Sequence, residues 1–280
     1  MREVGIIGAG ELGGAIAHLL ARRDLTRTIT LVDETGRIAA GKALDIAQAA
    51  PVEGFATQLA GSTDVATVAG ADVIVFAEAV QSGEWQGDAA LQLLRRVATS
   101  APRAVLVCAG AQAREVVERG VRDLKIRRER LFGTAPEALA SGVRALVALH
   151  VNGSPRDVAL TVVGAPPQQA VIAWEDATIG GLALTRQLDA PARRQIAARV
   201  AVLWPPGPHA LAAAAVAAIA SMAGRARQTV SCFVGPDTTS GTRTRATALP
   251  VRFDRSGIAG VVLPALSAVE RVALENAMLV

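Results

Sequence analysis

Residues 4–23 read VGIIGAGELGGAIAHLLARR: an apolar run meets the turn GAGELG at residues 8–13 and passes into a segment with the apolar spacing of a helix. A strand, a glycine-spaced turn and a helix in that order leave backbone N–H groups free at a helix start, where they attract the phosphates of a dinucleotide. Gly8 permits the tight turn, Gly10 lets backbone approach a pyrophosphate, and Gly13 lets the helix lie close on the strand. Glu11 and Leu12 open the helix and offer their N–H groups to the phosphates. Asp33 ends the next strand, twenty residues after Gly13. A carboxylate there accepts hydrogen bonds from an adenosine ribose and repels the extra phosphate of NADP, so NAD is the expected cofactor. The plainer alternative is that these glycines only pack a strand–helix joint.

The alternation continues outward. Candidate strands at 2–8, 28–33, 56–61, 72–77, 103–109 and 130–134 are separated by helical segments such as GGAIAHLLARR and DAALQLLRRVATSA. Several are unbroken apolar runs, as in parallel strands covered on both faces. The pattern predicts an α/β fold with a doubly wound parallel sheet over residues 1–133. Ala77, at the end of the fourth strand, joins the candidate cofactor contacts. From residue 134 to 280 the texture predicts a mixed α+β second domain. It contains the helix PEALASGVRALVALHV, the strand DVALTVVG, a proline-rich turn APPQQ and an alanine-rich helix at 209–223. An antiparallel pair, TVSCFVG and TALPVRFD, follows, and then a last amphipathic helix. Ser267 and Glu270 form the pattern of a capping box at its start.

Bulk properties exclude several classes. Apolar residues make up 51% of the 280 and charged residues 19%, which suits a packed globule rather than a disordered chain. The net charge is only +4, and the densest basic run, KIRRER at 125–130, has no interleaved aromatics, so nucleic acid is not an expected partner. Two cysteines make no disulfide framework; Cys108, inside AVLVCAG, reads as a small buried hydrophobe. No metal is expected. The longest apolar run, HALAAAAVAAIASMAG, is shorter than the roughly 20 residues of a bilayer span. A cytoplasmic protein with no membrane association is expected.

Beyond Asp33 the chain reads DETGRIAAGKALDIAQAAPVEGF, and a GADVIV strand follows. The C-terminal half carries WEDATIGGLAL, TVSCFVG and ALPVRFDRSGIAGVVLPALSAVERVALE. Together these stretches resemble the lactate/malate dehydrogenase family over nearly the whole chain. The resemblance implies a Rossmann domain followed by an α+β substrate domain. It also implies hydride transfer between NAD and a 2-hydroxy acid. In that family a His acts as general base, oriented by an Asp. One Arg grips the substrate carboxylate, a second Arg sits on a mobile loop, and an Asn follows the fifth strand.

Those residues are replaced here. Gln81 and Gly87 stand where the loop arginines belong, Gly110 where the Asn belongs, Leu139 and Gly142 where an Asp and an Arg share a helix, and Pro166 at the histidine position. Arg144 fits a second, non-catalytic arginine. No Lys or Arg occurs from Ala43 to Leu94, whereas the segment at the family's lid position carries Glu78, Glu84 and Asp88. Such a lid would repel an anionic substrate. His18 and His150 read as packing or surface residues, His209 as a helix-start or surface residue, and Trp85 as packing against the second domain.

The leading expectation is an NAD-binding family member degenerate for 2-hydroxy-acid oxidation, a pseudoenzyme or partner subunit with no identified substrate. One alternative is an active oxidoreductase with a rebuilt site, for which Glu78, Glu84, Asp88 and His209 are the available acid–base groups. Another is a structural protein without cofactor. The family pairs subunits through the helix holding residues 41–50. Here that helix offers Ala43, Leu44, Ile46, Ala47, Ala49 and Ala50, so a homodimer or dimer of dimers is expected.

Overall fold

The computed structural model describes residues 1–237 and 245–279. Its main element is an 11-stranded sheet. Six parallel strands come from the first half: β1 (Glu3–Ile7), β2 (Thr28–Val32), β3 (Gln58–Ser62), β4 (Val73–Phe76), β5 (Val105–Cys108) and β6 (Leu131–Gly133). They lie in the order β3-β2-β1-β4-β5-β6, with every neighbouring pair parallel. Strand order reverses between β1 and β4, the switch point at which doubly wound sheets bind ligands outside the carboxyl ends of the strands. The expected α/β class and the strand–helix alternation are both present.

All four residues of β4 and all four of β5 are buried, and the period of two divides them between two cores. Val73, Val75, Val105 and Val107 face one layer with α1 (Glu11–Arg22). Ile74, Phe76, Leu106 and Cys108 face the other with α3 (Gly87–Ser100) and α4 (Ala113–Arg122). Helix α2 (Gly36–Glu53) covers β3 at the sheet's edge.

The sheet does not stop at residue 134. After α5 (Ala135–His150), strands β7 (Val162–Ala165), β8 (Gln169–Ile172), β9 (Val230–Val234), β10 (Thr247–Asp254) and β11 (Gly257–Val261) extend it antiparallel. β9 joins the halves by pairing Phe233 with Gly133 and Val234 with Phe132. The expected pair of TVSCFVG and TALPVRFD is β9 with β10. A short helix α6 (Ala190–Ala198) precedes α7 (Pro208–Met222), the alanine-rich helix. α7 is buried almost all round between α1 and α5, because alanines at Ala212, Ala214, Ala215 and Ala218 allow close helix approach. The final helix α8 (Ala268–Met278) starts with the predicted capping box: Glu270 N–H donates to the Ser267 hydroxyl and Ser267 N–H to the Glu270 carboxylate. Among the described residues, no single helix is long and apolar enough to cross a membrane.

Candidate functional site

The glycine turn joins β1 to α1 as its spacing demands. Gly8 has φ +104°, a region other residues rarely adopt. A Cβ on Gly10 would collide with the Glu78 side chain, and one on Gly13 with the Gly8 carbonyl. Ala77 lies next to Gly13 and is 1% exposed. Lys42, from the GKALDI segment, donates to the Gly10 carbonyl at 2.5 Å. Sequence reasoning did not single it out, because nothing local shows that α2 turns this side chain toward the loop.

Asp33 is 5% exposed. Its carboxylate accepts from the N–H groups of Ala9 at 2.9 Å, Thr35 at 2.9 Å and Val80 at 3.0 Å. Burial pushes its carboxyl up, but those three hydrogen bonds, with one from the Thr35 hydroxyl, outweigh burial and hold it below the ordinary carboxylate value.

The segment after β4 forms a hairpin in which Glu78 pairs with Glu84 and Ala79 with Gly83. This hairpin lies over the switch point. The Glu78 carbonyl accepts from Gly10 N–H at 3.0 Å, and its carboxylate accepts from Leu12 N–H, in the first turn of α1, at 3.0 Å. Glu84 mirrors it on the other side. Its carboxylate accepts from Gln112 N–H at 2.5 Å, at the start of α4, and covers Gly110. Burial raises the Glu84 carboxyl; the N–H groups of Gln112 and Ala111 oppose the rise and the Glu78 charge adds to it. Burial, followed by the Glu84 charge, pushes the Cys108 thiol up to about 12, so this buried cysteine is an unreactive hydrophobe.

Two expectations about this lid need correction. Trp85 packs on the first-half core, in a small pocket with Phe76, Cys108, Ala113 and Val116, and not on the second domain. The Cys108 side of the sheet lies beneath the ring. The acids also do not leave the cleft without cations. Glu78 and Glu84 turn inward, and Asp88 pairs with Arg119 at 2.8 Å. A cleft of about 670 Å³ beside them is lined by Arg114, Arg119, Arg122 and Arg245, facing Pro166–Gln168. These arginines come from α4 and from the approach to β10, far from the lid in sequence. Arg114 donates to the Ala246 carbonyl at 2.8 Å. Burial, then the neighbouring Arg245 charge, lowers its guanidinium from the usual value, against the pull of Glu118.

The remaining candidate positions scatter. Gln81 is exposed at the hairpin tip, and Gly87 and Pro166 line the cleft. Leu139 is 1% exposed in the second-half core, and Gly142 is covered by Leu203. Arg144 donates to Glu137 at 2.6 Å and to the Leu160 carbonyl at 3.1 Å, while Glu137 also accepts from Ser231 N–H at 2.8 Å. That group ties α5 to β9. His209 and His150 are exposed, and His18 meets Glu53 at 3.0 Å on the surface.

The model of the lactate/malate dehydrogenase NAD-binding domain matches residues 2–99. The chain is 28% identical to a malate dehydrogenase of Thioalkalivibrio sulfidiphilus over 99% of its own length and 96% of that protein. The chain is similar to the lactate/malate dehydrogenase family, by its NAD-binding domain over residues 2–99 and by its relatives over nearly its whole length. Its fold matches a malate dehydrogenase from Salinibacter ruber with a TM-score of 0.85 at 20% identity, covering 98% of this chain and 93% of that one. It also matches a lactate dehydrogenase from Cryptosporidium parvum, complexed with lactic acid and nicotinamide adenine dinucleotide, with a TM-score of 0.86 at 22% identity, covering 99% and 94%. Residues 2–99 match an NAD-binding domain, and that match supports NAD as the cofactor.

The donors at the start of α1 suit a dinucleotide phosphate, and in this structure Glu78 holds them: a Cβ at position 8 or 10 would meet Glu78, and Leu12 N–H donates to its carboxylate.

Proposed function

We propose that the chain is an NAD-binding member of the lactate/malate dehydrogenase family that has lost 2-hydroxy-acid dehydrogenase chemistry and serves as a pseudoenzyme or partner subunit. Gly8, Gly10, Gly13 and the first N–H groups of α1 would hold the pyrophosphate, with Asp33 on the ribose side and Ala77 as floor. When bound, NAD supplies a hydride acceptor. The observation that carries the proposal is that Pro166 lines the cleft where the resemblance puts the general base, and no histidine is among the described residues lining it. Proline neither titrates nor donates. The acids that do line it are engaged: Glu115 pairs with Arg119, and Glu118 with Arg122 and the Ala246 N–H. Losing a general base costs roughly 10²–10⁴ in rate. Losing a charge-assisted carboxylate contact costs a further 1.5–3 kcal/mol, roughly.

A second reading, an oxidoreductase with a rebuilt site for another anion, is favoured by Arg114 and Arg245 in the cleft. A panel of 2-oxo acids and larger anionic carbonyl compounds, assayed with NADH, separates the two. Turnover on the larger anions alone supports the second reading. Turnover on pyruvate or oxaloacetate overturns the first. Pro166→His should not restore activity, because no acid stands at Leu139 to orient the ring.

Self-association belongs to the same proposal. On α2, Ala43 and Ile46 face the subunit's own core, while Leu44 is 61% and Val52 89% exposed. A homodimer through α2 would cover both.

A further inference from the structure

The hairpin after β4 satisfies, one by one, the groups that a dinucleotide would use. The first N–H groups of α1 bind the phosphates in a Rossmann site, and here Leu12 N–H holds the Glu78 carboxylate while Gly10 N–H holds the Glu78 carbonyl. Asp33 would accept from a ribose hydroxyl, and here it accepts from Val80 N–H of the same hairpin. The start of α4 closes the other side of the switch point, and its Gln112 N–H holds the Glu84 carboxylate. Two helix N-termini, each with the partial positive charge of its unpaired N–H groups, are thus capped by two carboxylates that face each other across one hairpin. An apolar contact holds the arrangement from behind, where Trp85 packs on the Phe76 and Cys108 side of the sheet.

We propose that residues 78–84 are a built-in competitor of the dinucleotide: the hairpin closes the crevice with its own carboxylates and backbone, and NAD binds only when it lifts. The proposal rests on the reading of the glycine turn as the cofactor site. A pyrophosphate cannot share Leu12 N–H with Glu78, nor lie beside that carboxylate without like-charge repulsion. The apparent affinity is therefore the intrinsic affinity multiplied by the fraction of molecules with the hairpin raised. Lifting it also exposes Gly110 and the start of α4, which the Glu84 carboxylate covers.

The test is NADH titration by calorimetry of the full chain, as wild type and as the Glu78→Ala/Glu84→Ala double variant, with circular dichroism confirming that the variant is folded. The expected result is binding at least tenfold tighter in the double variant. Equal binding, within twofold, overturns the proposal while leaving the cofactor site intact. No binding by either protein at millimolar NADH overturns the cofactor reading, and the competitor with it. Hydrogen exchange on the unmodified protein gives an independent readout. Saturating NADH should speed exchange of the Val80 amide and keep the Leu12 amide protected. Unchanged Val80 protection in the NADH-bound protein overturns the proposal even if the variant fails to fold.

Discussion

Asp33→Ala separates the structural work of this carboxylate from its place in the cofactor site, when measured without cofactor. The side chain accepts three N–H groups and is 5% exposed. Ala9 is fully buried, so removing its acceptor orphans an N–H at a cost of about 1–3 kcal/mol. Thr35 and Val80 are half-buried, and their N–H groups can regain water, which limits each loss to about 0.5–1 kcal/mol. The sum is roughly 3 kcal/mol, within a range of about 2–5, or a fall in Tm of about 6–12 °C for a chain of this size. The pH dependence has a definite sign. The folded-state value of Asp33 is depressed below the ordinary carboxylate value, so the part of its contribution that depends on ionisation is complete above that ordinary value and is lost as pH falls through the lower folded value. Urea unfolding of wild type and variant from pH 7 to pH 3 should show a gap that is constant down to about pH 4 and narrows below it. A gap under about 1 kcal/mol at pH 7, or one that widens on acidification, would refute the reasoning.

Glu137→Ala should destabilise by about 3–4 kcal/mol in chemical denaturation, since it leaves Arg144 without its carboxylate and the buried Ser231 N–H without its acceptor, whereas Glu137→Met/Arg144→Met should recover only the part due to the unpaired guanidinium, because the Ser231 N–H stays orphaned. Leu44→Asp should give a monomeric mass by light scattering at micromolar concentration where wild type is dimeric; an unchanged mass removes α2 from the interface.

The parallel half of the fold was legible because its signals are local. Unbroken apolar runs and the GAGELG turn specify β1, α1, β4 and β5 without knowledge of anything distant, and the capping box at Ser267 is a four-residue pattern. Contacts made by the lid were not legible. Glu78, Glu84 and Asp88 read as a repulsive acidic face because sequence shows charge but not the direction in which it turns. Each met a partner from elsewhere: the start of α1, the start of α4, and Arg119. The Arg114 and Arg245 pair was missed for the same reason, being 131 residues apart (245 − 114) and joined only where α4 meets the approach to β10. Trp85 was sent to the wrong half because a hydrophobic ring on a loop carries no information about which core lies beneath it.

Loss of dehydrogenase chemistry is tested most directly by label transfer. Purified protein, shown by fluorescence to have bound NADH deuterated at the transferring position, is mixed with millimolar pyruvate or oxaloacetate, and the hydroxy acids are analysed by mass spectrometry after an hour. Pro166 in place of a base, and Leu139 and Gly142 in place of its orienting acid and the substrate clamp, predict no deuterium above the uncatalysed background. Deuterated lactate or malate in molar excess over protein, formed faster than about 1 s⁻¹, the low end of ordinary enzymes, would contradict it.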